Sequence, residues 1–418
     1  MRKHPGRMKI NVGGKEVTVD IDPASMVDSL GYVFHYDNNI YRSIATKSIN
    51  PVKELLNVSN INKIFDVGLV QTEIVDGITA GPKFPMVVKH HKIEFLSYKM
   101  EWTPDMFRDA MLMLVNLGQE LFKSKYMLVD NHTYNVFFDY TRPVYIDLGS
   151  ISKLTSSFPA QWAGYFRQYW VAPIIKKSNL TANGFEVIKS RNINDGNKFF
   201  DEVREWLNSA TFNYEITEWA GYGQKPFDFD NLPPKQKVVY DVLRELRDEM
   251  DTVVDIGANQ GIYSEVAADL GYKVVAFDID ETSISKLYRR NKNTGRKILP
   301  LVFDFSKPTK AHGLYNPGYL AAEQRCACDI SMALALVHHT AYKQRVSFDT
   351  TAEFLNKFTK KVAIVEFIPA TDKHIAGWPN KPVEYSQDNF IKSMMKYFDT
   401  YEVRKSNPKP RIMLIFRK

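Results

Sequence analysis

Residues 252–271 read TVVDIGANQGIYSEVAADLG. An apolar run, Thr252–Ile256, passes into a turn, Gly257-Ala258-Asn259-Gln260-Gly261, and then into a helical pattern. Small residues in such a turn let the backbone approach a ligand, and the N–H groups at the start of the next helix face it. A glycine-bearing turn serves several kinds of nucleotide ligand, so its neighbours decide the reading. Further strands are predicted over Lys273–Asp278, Ile298–Phe303, Ile330–Ala335, Lys361–Glu366 and Arg411–Phe416, with helices between them. Another helix starts near Pro234 and runs to about Met250. Alternation of this kind predicts a parallel, doubly wound α/β sheet.

Three features point this turn toward S-adenosylmethionine. The three-glycine dinucleotide fingerprint is missing, and Asp255 just before the turn favours a cationic amino group and repels a pyrophosphate. The next strand ends VVAFDID, which puts Asp278 where a carboxylate can hold two ribose hydroxyls, about 20 residues beyond the turn. The strand after that ends LVFDF, which puts Asp304 within reach of an adenine amino group. Each Asp alone could be a helix cap or a turn residue. At successive strand C-termini of a doubly wound sheet the three share one crevice. These motifs resemble the class I S-adenosylmethionine-dependent methyltransferases over roughly residues 235–418. The resemblance implies a Rossmann-like methyltransferase domain whose cofactor residues are Asp255, Gly257, Ala258, Asn259, Gly261, Asp278, Ile279, Asp304 and Phe305.

The fourth strand reads DISMALALVHHT and carries His338 and His339 at its end. A histidine there can take a proton from a hydroxyl as a methyl group arrives. The alternative is that one ring packs while the other is exposed. No Asn/Asp-Pro-Pro-aromatic segment of the base-methylating kind follows, and no Cys stands ready as a nucleophile on a pyrimidine, so the expected acceptor atom is oxygen. Glu366 is expected beside the same crevice, and Arg325 and Arg345 are candidates for holding an anionic acceptor, or else surface residues.

The first half reads differently. INVGGKEVTVDID and GYVFHYDNNIYRSIA are two hairpins, turning at Gly13-Gly14 and at Asp37-Asn38-Asn39. Strands are expected over Phe65–Val75 and Met86–Ser97. A helix follows over Pro104–Phe122, with Met106, Ala110, Met113, Leu114, Leu117 and Leu121 on one face. Residues 126–150 then read YMLVDNHTYNVFFDYTRPVYIDLGS. Asp130, Asn135 five positions later, and Asp147-Leu148-Gly149 after a hairpin resemble the catalytic loop and metal-binding motif of protein kinases. The resemblance implies an α+β kinase-like domain in which Asp130 orients a hydroxyl. Asn135 and Asp147 would hold the metal of Mg-ATP if the site is active. No G-x-G-x-x-G loop precedes it, Arg42 stands where the family has Lys, and the best partner-helix Glu is Glu54. These departures favour a degenerate, pseudokinase-like scaffold.

The expected organisation is an N-terminal hairpin and tail over 1–20, a kinase-like domain over 21–222, a Gly- and Pro-rich linker over 223–234, and a methyltransferase domain over 235–418. At 418 residues the chain suits two domains. Cys326 and Cys328 are too close for an easy disulfide and read as reduced thiols in a cytoplasmic protein. No apolar run reaches the roughly 18 residues of a membrane helix, and the basic start lacks the core of a secretory signal. A net charge of +7 permits a nucleic acid, a phosphorylated glycan or a nucleotide as partner. That charge is spread among acidic residues. In combination, FLSYKMEW, VDNHTYNVFF, PVYIDLGSI, VVDIGANQG, MALALVHHT and VEFIP resemble the NoeA-like nodulation-protein methyltransferases. This implies a kinase-like domain fused to a methyltransferase and, by association, a glycan or other small hydroxylated acceptor. A bifunctional kinase-methyltransferase, a nucleic-acid methyltransferase and a non-enzymatic adaptor are the competing readings.

Overall fold

The computed structural model describes residues 6–22, 25, 28–192, 195–219, 232–311, 320–379 and 381–418. Among these, one compact unit takes in 6–94 and 106–213, and a second takes in 95–105, 214–311 and 320–418. Most of the expected linker, residues 223–231, lies outside the described residues, as do residues 1–5 of the expected tail.

The first unit opens on β1 (Arg7–Val12) and β2 (Lys15–Asp20), joined by Gly13 and Gly14 at φ of 56° and 88°. Two consecutive left-handed residues are what a two-residue hairpin turn needs. β3 (Val33–Tyr36) and β4 (Asn39–Ile44) repeat the device with Asp37 and Asn38. Helices α1 (Ile49–Leu56) and α2 (Ile61–Val67) follow, then β5 (Thr72–Val75), β6 (Ile78–Thr79) and β7 (Met86–His90). The sheet orders are β3-β4-β7-β5 and β2-β1-β6. The strand expected over Phe65–Val75 is therefore a helix end and a shorter strand. Gly68 separates them at φ 137°, where an added Cβ would overlap the Met113 side chain. The strand expected over Met86–Ser97 stops at His90.

Helix α3 (Pro104–Lys123) buries all six residues of its predicted face. After it come β8 (Tyr126–Leu128), β9 (Val136–Asp139), β10 (Arg142–Tyr145) and β11 (Ile151–Lys153). β9 pairs with β10, and β8 with β11. Helices α4 (Ala160–Phe166), α5 (Ala172–Ile174), α6 (Ala182–Arg191) and α7 (Gly196–Asn208) close the unit. Trp162 packs between Phe166 and Phe200, stacked at 4.5 Å and edge-on at 5.1 Å.

The second unit contains α8 (Pro234–Leu246), β12 (Thr252–Ile256), α9 (Ile262–Asp269), β13 (Lys273–Asp278), α10 (Glu281–Asn291) and β14 (Ile298–Val302). It continues with α11 (Ala322–Arg325), β15 (Cys328–Ala333), α12 (Val337–Tyr342), α13 (Phe348–Phe358), β16 (Thr359–Phe367), α14 (Gln387–Met394), β17 (Thr400–Lys405) and β18 (Ile412–Arg417). They build one seven-stranded sheet, β14-β13-β12-β15-β16-β18-β17. The first five strands are parallel, and β18 runs antiparallel to both β16 and β17. The parallel sheet expected from the alternation thus ends in a hairpin whose inner strand, β18, runs against the others. Its outer strand, β17, is exposed at all but one position. An edge strand without a buried face has no hydrophobic alternation to read. The core is Val239, Val253, Val274, Leu287, Ile330, Ile364 and Ile415 with their neighbours.

Two segments fall on the other side of the expected boundary. Phe95–Asp105, expected in the kinase-like domain, packs with the second unit, as does Tyr214–Trp219. The first is anchored by a buried ion pair between Glu101 and Arg325. Among the described residues no helix is long and apolar enough to cross a membrane.

Candidate functional site

In the second unit β12 lies between β13 and β15. The chain therefore leaves β12 at the point where the strand order reverses, the usual place for a ligand crevice in such sheets. The turn there is built as the sequence requires. Gly257, Asn259 and Gly261 all have positive φ, at 72°, 50° and 75°. The backbone N–H groups of Gly257 and Ala258 both donate to the Phe277 carbonyl at 3.0 Å, fixing the turn to β13. A Cβ on Gly257 would stand 3.2 Å from Leu336, which follows β15 and roofs the turn. A Cβ on Gly261 would overlap the Leu287 side chain. Gly261→Ala is accordingly expected to lower the stability of the second unit by about 2–3 kcal/mol, from left-handed backbone strain and crowding together. Urea unfolding checks this, and in a Leu287→Ala background, compared with Leu287→Ala alone, Gly261→Ala should cost only the strain part.

Three carboxylates are brought to this end of the sheet. Asp255 is buried at the end of β12 and accepts the Ser264 hydroxyl at 2.6 Å. Burial pushes its pKa up to about 6, partly offset by the Ser264 hydrogen bonds. Asp278, at the end of β13, accepts the Asn259 N–H at 2.8 Å on one oxygen and the Asp280 N–H at 2.9 Å on the other. Burial raises its pKa too, against those backbone donors. Asp304 lies two residues beyond β14 and is held by the backbone and hydroxyl of Ser306, each at 2.8 Å. Ile279 is 61% exposed, unusually open for such a side chain, whereas Ala258 and Phe305 are buried.

The histidine pair does not sit on a strand, as expected, but in the first turn of α12. β15 ends at Ala333, and Ala335 at φ 56° turns the chain away before His338. His338 is buried, and burial together with His339 pushes its pKa down to about 2. Burial and nearby Lys343 push His339 down to about 4. Both rings are thus neutral at pH 7, and the Nδ1 of each is buried without a hydrogen-bond partner. Around them stand Trp378, at 5.5 and 5.2 Å from the two rings, and Trp219, perpendicular to His339 at 4.8 Å.

Other candidates are committed elsewhere. Glu366 is fully buried and takes Lys235 at 2.5 Å and Ser406 at 3.1 Å. Arg325 is buried against Glu101 and donates to the Leu96 and Leu320 carbonyls, so it is a structural cation and not an acceptor clamp. Cys326 and Cys328 are buried free thiols, Cys326 with its pKa pushed up to about 12 by burial.

In the first unit, Asp130, Asn135 and Asp147 gather around Tyr145. The Tyr145 hydroxyl donates to the Asp130 carbonyl, and the Asn135 amide lies 3.4 Å from that hydroxyl. Asp147 spends both oxygens nearby, accepting the Gly149 N–H at 3.0 Å and the Ser150 hydroxyl. Arg42 pairs with Asp28, and Glu54 pairs with Lys153 at 2.6 Å, so Glu54 is not the partner of Arg42. Asp28 itself reaches the neighbourhood of Gly149. Among the described residues no cluster of three or more His, Cys, Asp or Glu has the spacing of a metal site.

No family model matches the chain. It is similar to the nodulation protein NoeA of Rhizobium meliloti (strain 1021). The two are 20% identical over 440 residues, which span 88% of this chain and 90% of that protein. Among solved structures it is similar to the magnesium protoporphyrin IX methyltransferase ChlM of Synechocystis PCC 6803 with bound SAH. That match has 16% identity over 47% of this chain and 90% of that one, with a TM-score of 0.34. A second similar structure is WbdD, described as a bifunctional kinase-methyltransferase, at 16% identity over 43% of this chain and 37% of that one, with a TM-score of 0.31.

Proposed function

We propose that the second unit is an S-adenosylmethionine-dependent methyltransferase acting on a hydroxyl of a glycan or other small hydroxylated acceptor, and that the first unit is a degenerate kinase-like scaffold that positions this acceptor. The observation that carries the reading is the set of three carboxylates, Asp255, Asp278 and Asp304, at successive strand ends around one glycine turn at the switch point. A seven-stranded sheet in which β18 alone runs against the other six supports it, being the arrangement of class I methyltransferases. The residues fit the cofactor. Gly257 and Gly261 take the left-handed backbone that turns the chain sharply at the end of β12, and Asp255 is a buried carboxylate suited to a cationic amino group.

In this reading Asp255 takes the methionine ammonium, Asp278 the ribose hydroxyls, and Asp304 and Phe305 the adenine, with Ala258, Asn259 and Ile279 completing the wall. S-adenosylmethionine supplies an electrophilic methyl group on a sulfonium. His338 and His339 are neutral at working pH, so each offers a nitrogen lone pair to an acceptor hydroxyl. Pushed so far below the ordinary value, they are poor stores for a proton. Their role is to orient the hydroxyl by accepting its hydrogen bond, the proton going to solvent and not staying on either ring.

Calorimetry with S-adenosylhomocysteine tests the cofactor assignment. At pH below about 6 the Asp255 carboxyl is protonated, and binding an ammonium requires that proton to leave. Affinity is therefore expected to be about tenfold weaker at pH 5 than at pH 7, one pKa unit being a factor of ten. Asp255→Asn should flatten the profile. An unchanged pH dependence in that variant, or no binding in the unaltered protein, sinks the assignment.

A bifunctional reading is favoured by one observation, the gathering of Asp130, Asn135 and Asp147 around Tyr145. The engagement of Arg42 with Asp28 and of Asp147 with Ser150 weighs against it. Calorimetry with Mg-ATP separates the two: heat of binding lost in Asp147→Ala supports a working kinase site. Nucleic acid as acceptor would show in a steep fall of its affinity with salt.

A further inference from the structure

Tyr214–Trp219 forms no helix or strand, yet it is tied down along its length. The Tyr214 hydroxyl donates to Asp105 at 2.7 Å, and the Glu215 carbonyl accepts the Thr282 hydroxyl at 2.8 Å. Thr217 donates to the Asp280 carboxylate at 3.0 Å, and Glu218 pairs with Lys343 at 2.9 Å. The Trp219 carbonyl accepts the Asn259 side-chain amide at 3.3 Å. The Trp219 ring meets His339 edge to face and carries the Lys343 ammonium 4.7 Å from its centroid.

These anchors belong to three places in the sheet. Asn259 is on the turn after β12, Asp280 and Thr282 begin α10 after β13, and His339 and Lys343 belong to α12, after β15, and its C-terminal cap. β12 is flanked by β13 and β15, so the segment passes over the switch point from one side to the other. A connection laid along the flank of the sheet would leave that end open.

We propose that Tyr214–Trp219 is a clasp across the mouth of the crevice, and that Trp219 is a positioning residue linking the cofactor turn to the histidine pair. The inference rests on the cofactor reading above. The link is continuous. Asp278 accepts the Asn259 N–H, the Asn259 side chain holds the Trp219 carbonyl, and the Trp219 ring abuts His339. A ligand that engages Asp278 steadies Asn259 and, through it, the wall facing the acceptor. The clasp must also lift for the ligand to enter or leave.

The test uses the full chain and S-adenosylhomocysteine. Release is followed by stopped-flow indole fluorescence, and binding is measured separately by calorimetry. Thr217→Val combined with Glu218→Gln removes two latches and is expected to speed release by about tenfold, the factor for one to two net hydrogen bonds. Thr217→Ser, which keeps the hydroxyl, should release at the original rate. Trp219→Phe should lose most of the emission change while calorimetry still detects binding. If the double variant does not fold, Lys343→Met breaks the same ion pair from the other side. Unchanged release in the latch variants, or an emission change that persists in Trp219→Phe, overturns the clasp. No binding to the unaltered protein overturns the cofactor reading and the clasp with it.

Discussion

Asp278→Ala is expected to weaken S-adenosylhomocysteine binding by at least about 100-fold, because it removes two charge-assisted hydrogen bonds at about 1.5–3 kcal/mol each. The Asp278 carboxylate already accepts one backbone N–H on each oxygen, from Asn259 and Asp280. Each oxygen keeps a lone pair for a ribose hydroxyl. The substitution therefore acts twice: it deletes the ribose contacts and leaves the two turns that frame the crevice without their common acceptor. Asp278→Asn keeps one acceptor oxygen and should fall between the two. Calorimetry gives the affinities, and thermal melting separates a lost contact from a lost fold. If Asp278→Ala folds and binds as tightly as the unaltered protein, the crevice is not where the cofactor sits.

The largest expected effect on stability is at Arg325. Arg325→Met is expected to destabilise the second unit by about 3–5 kcal/mol, the cost of leaving one charge of a buried pair without its partner. Glu101 has no exposed surface, and its other oxygen accepts the Tyr98 N–H at 3.2 Å. The guanidinium also ties two backbone carbonyls, Leu96 at 2.7 Å and Leu320 at 3.2 Å, and lies 4.4 Å from the Tyr98 ring centroid. Removing both charges, as Arg325→Met with Glu101→Leu, should recover much of the loss, since apolar replacement of a buried pair is often close to neutral. Urea unfolding followed by far-ultraviolet circular dichroism measures both. A single substitution costing less than about 1 kcal/mol, the range of an exposed pair, would show that water reaches the site.

These two residues mark where sequence reasoning reaches and where it stops. The turn from Gly257 to Gly261 was legible because its cause is local: an apolar strand, glycines that take positive φ, and a helix directly after. Asp255, Asp278 and Asp304 followed from it, because parallel strands of similar length bring their C-terminal ends together. The fate of Arg325 was not legible. Its partner lies 224 residues earlier, in a segment that reads as continuous with the first unit. Tyr214–Trp219 has no periodicity, and its role comes wholly from tertiary contacts. The histidine pair was found by composition but put on the wrong element, because Ala335 at φ 56° ends the strand path where neither Gly nor Pro announces a turn.

The makeup of the second unit bears on the order of events during synthesis. One of its pieces, Phe95–Asp105, leaves the ribosome long before Arg325. At about 5–20 residues per second, Glu101 waits about 10–45 s for its counter-ion. Through that interval the nascent chain carries an acidic side chain flanked by Tyr98 and Trp102, both of which end up buried. A fragment cut at the expected linker, near residue 223, would keep Arg325 and lose Glu101, leaving a buried cation permanently without its partner. Protein ending near residue 213 would carry the opposite fault. Dividing the chain into its two units therefore calls for a cut that sends Phe95–Asp105 along with the second unit, by chain rearrangement and not by truncation.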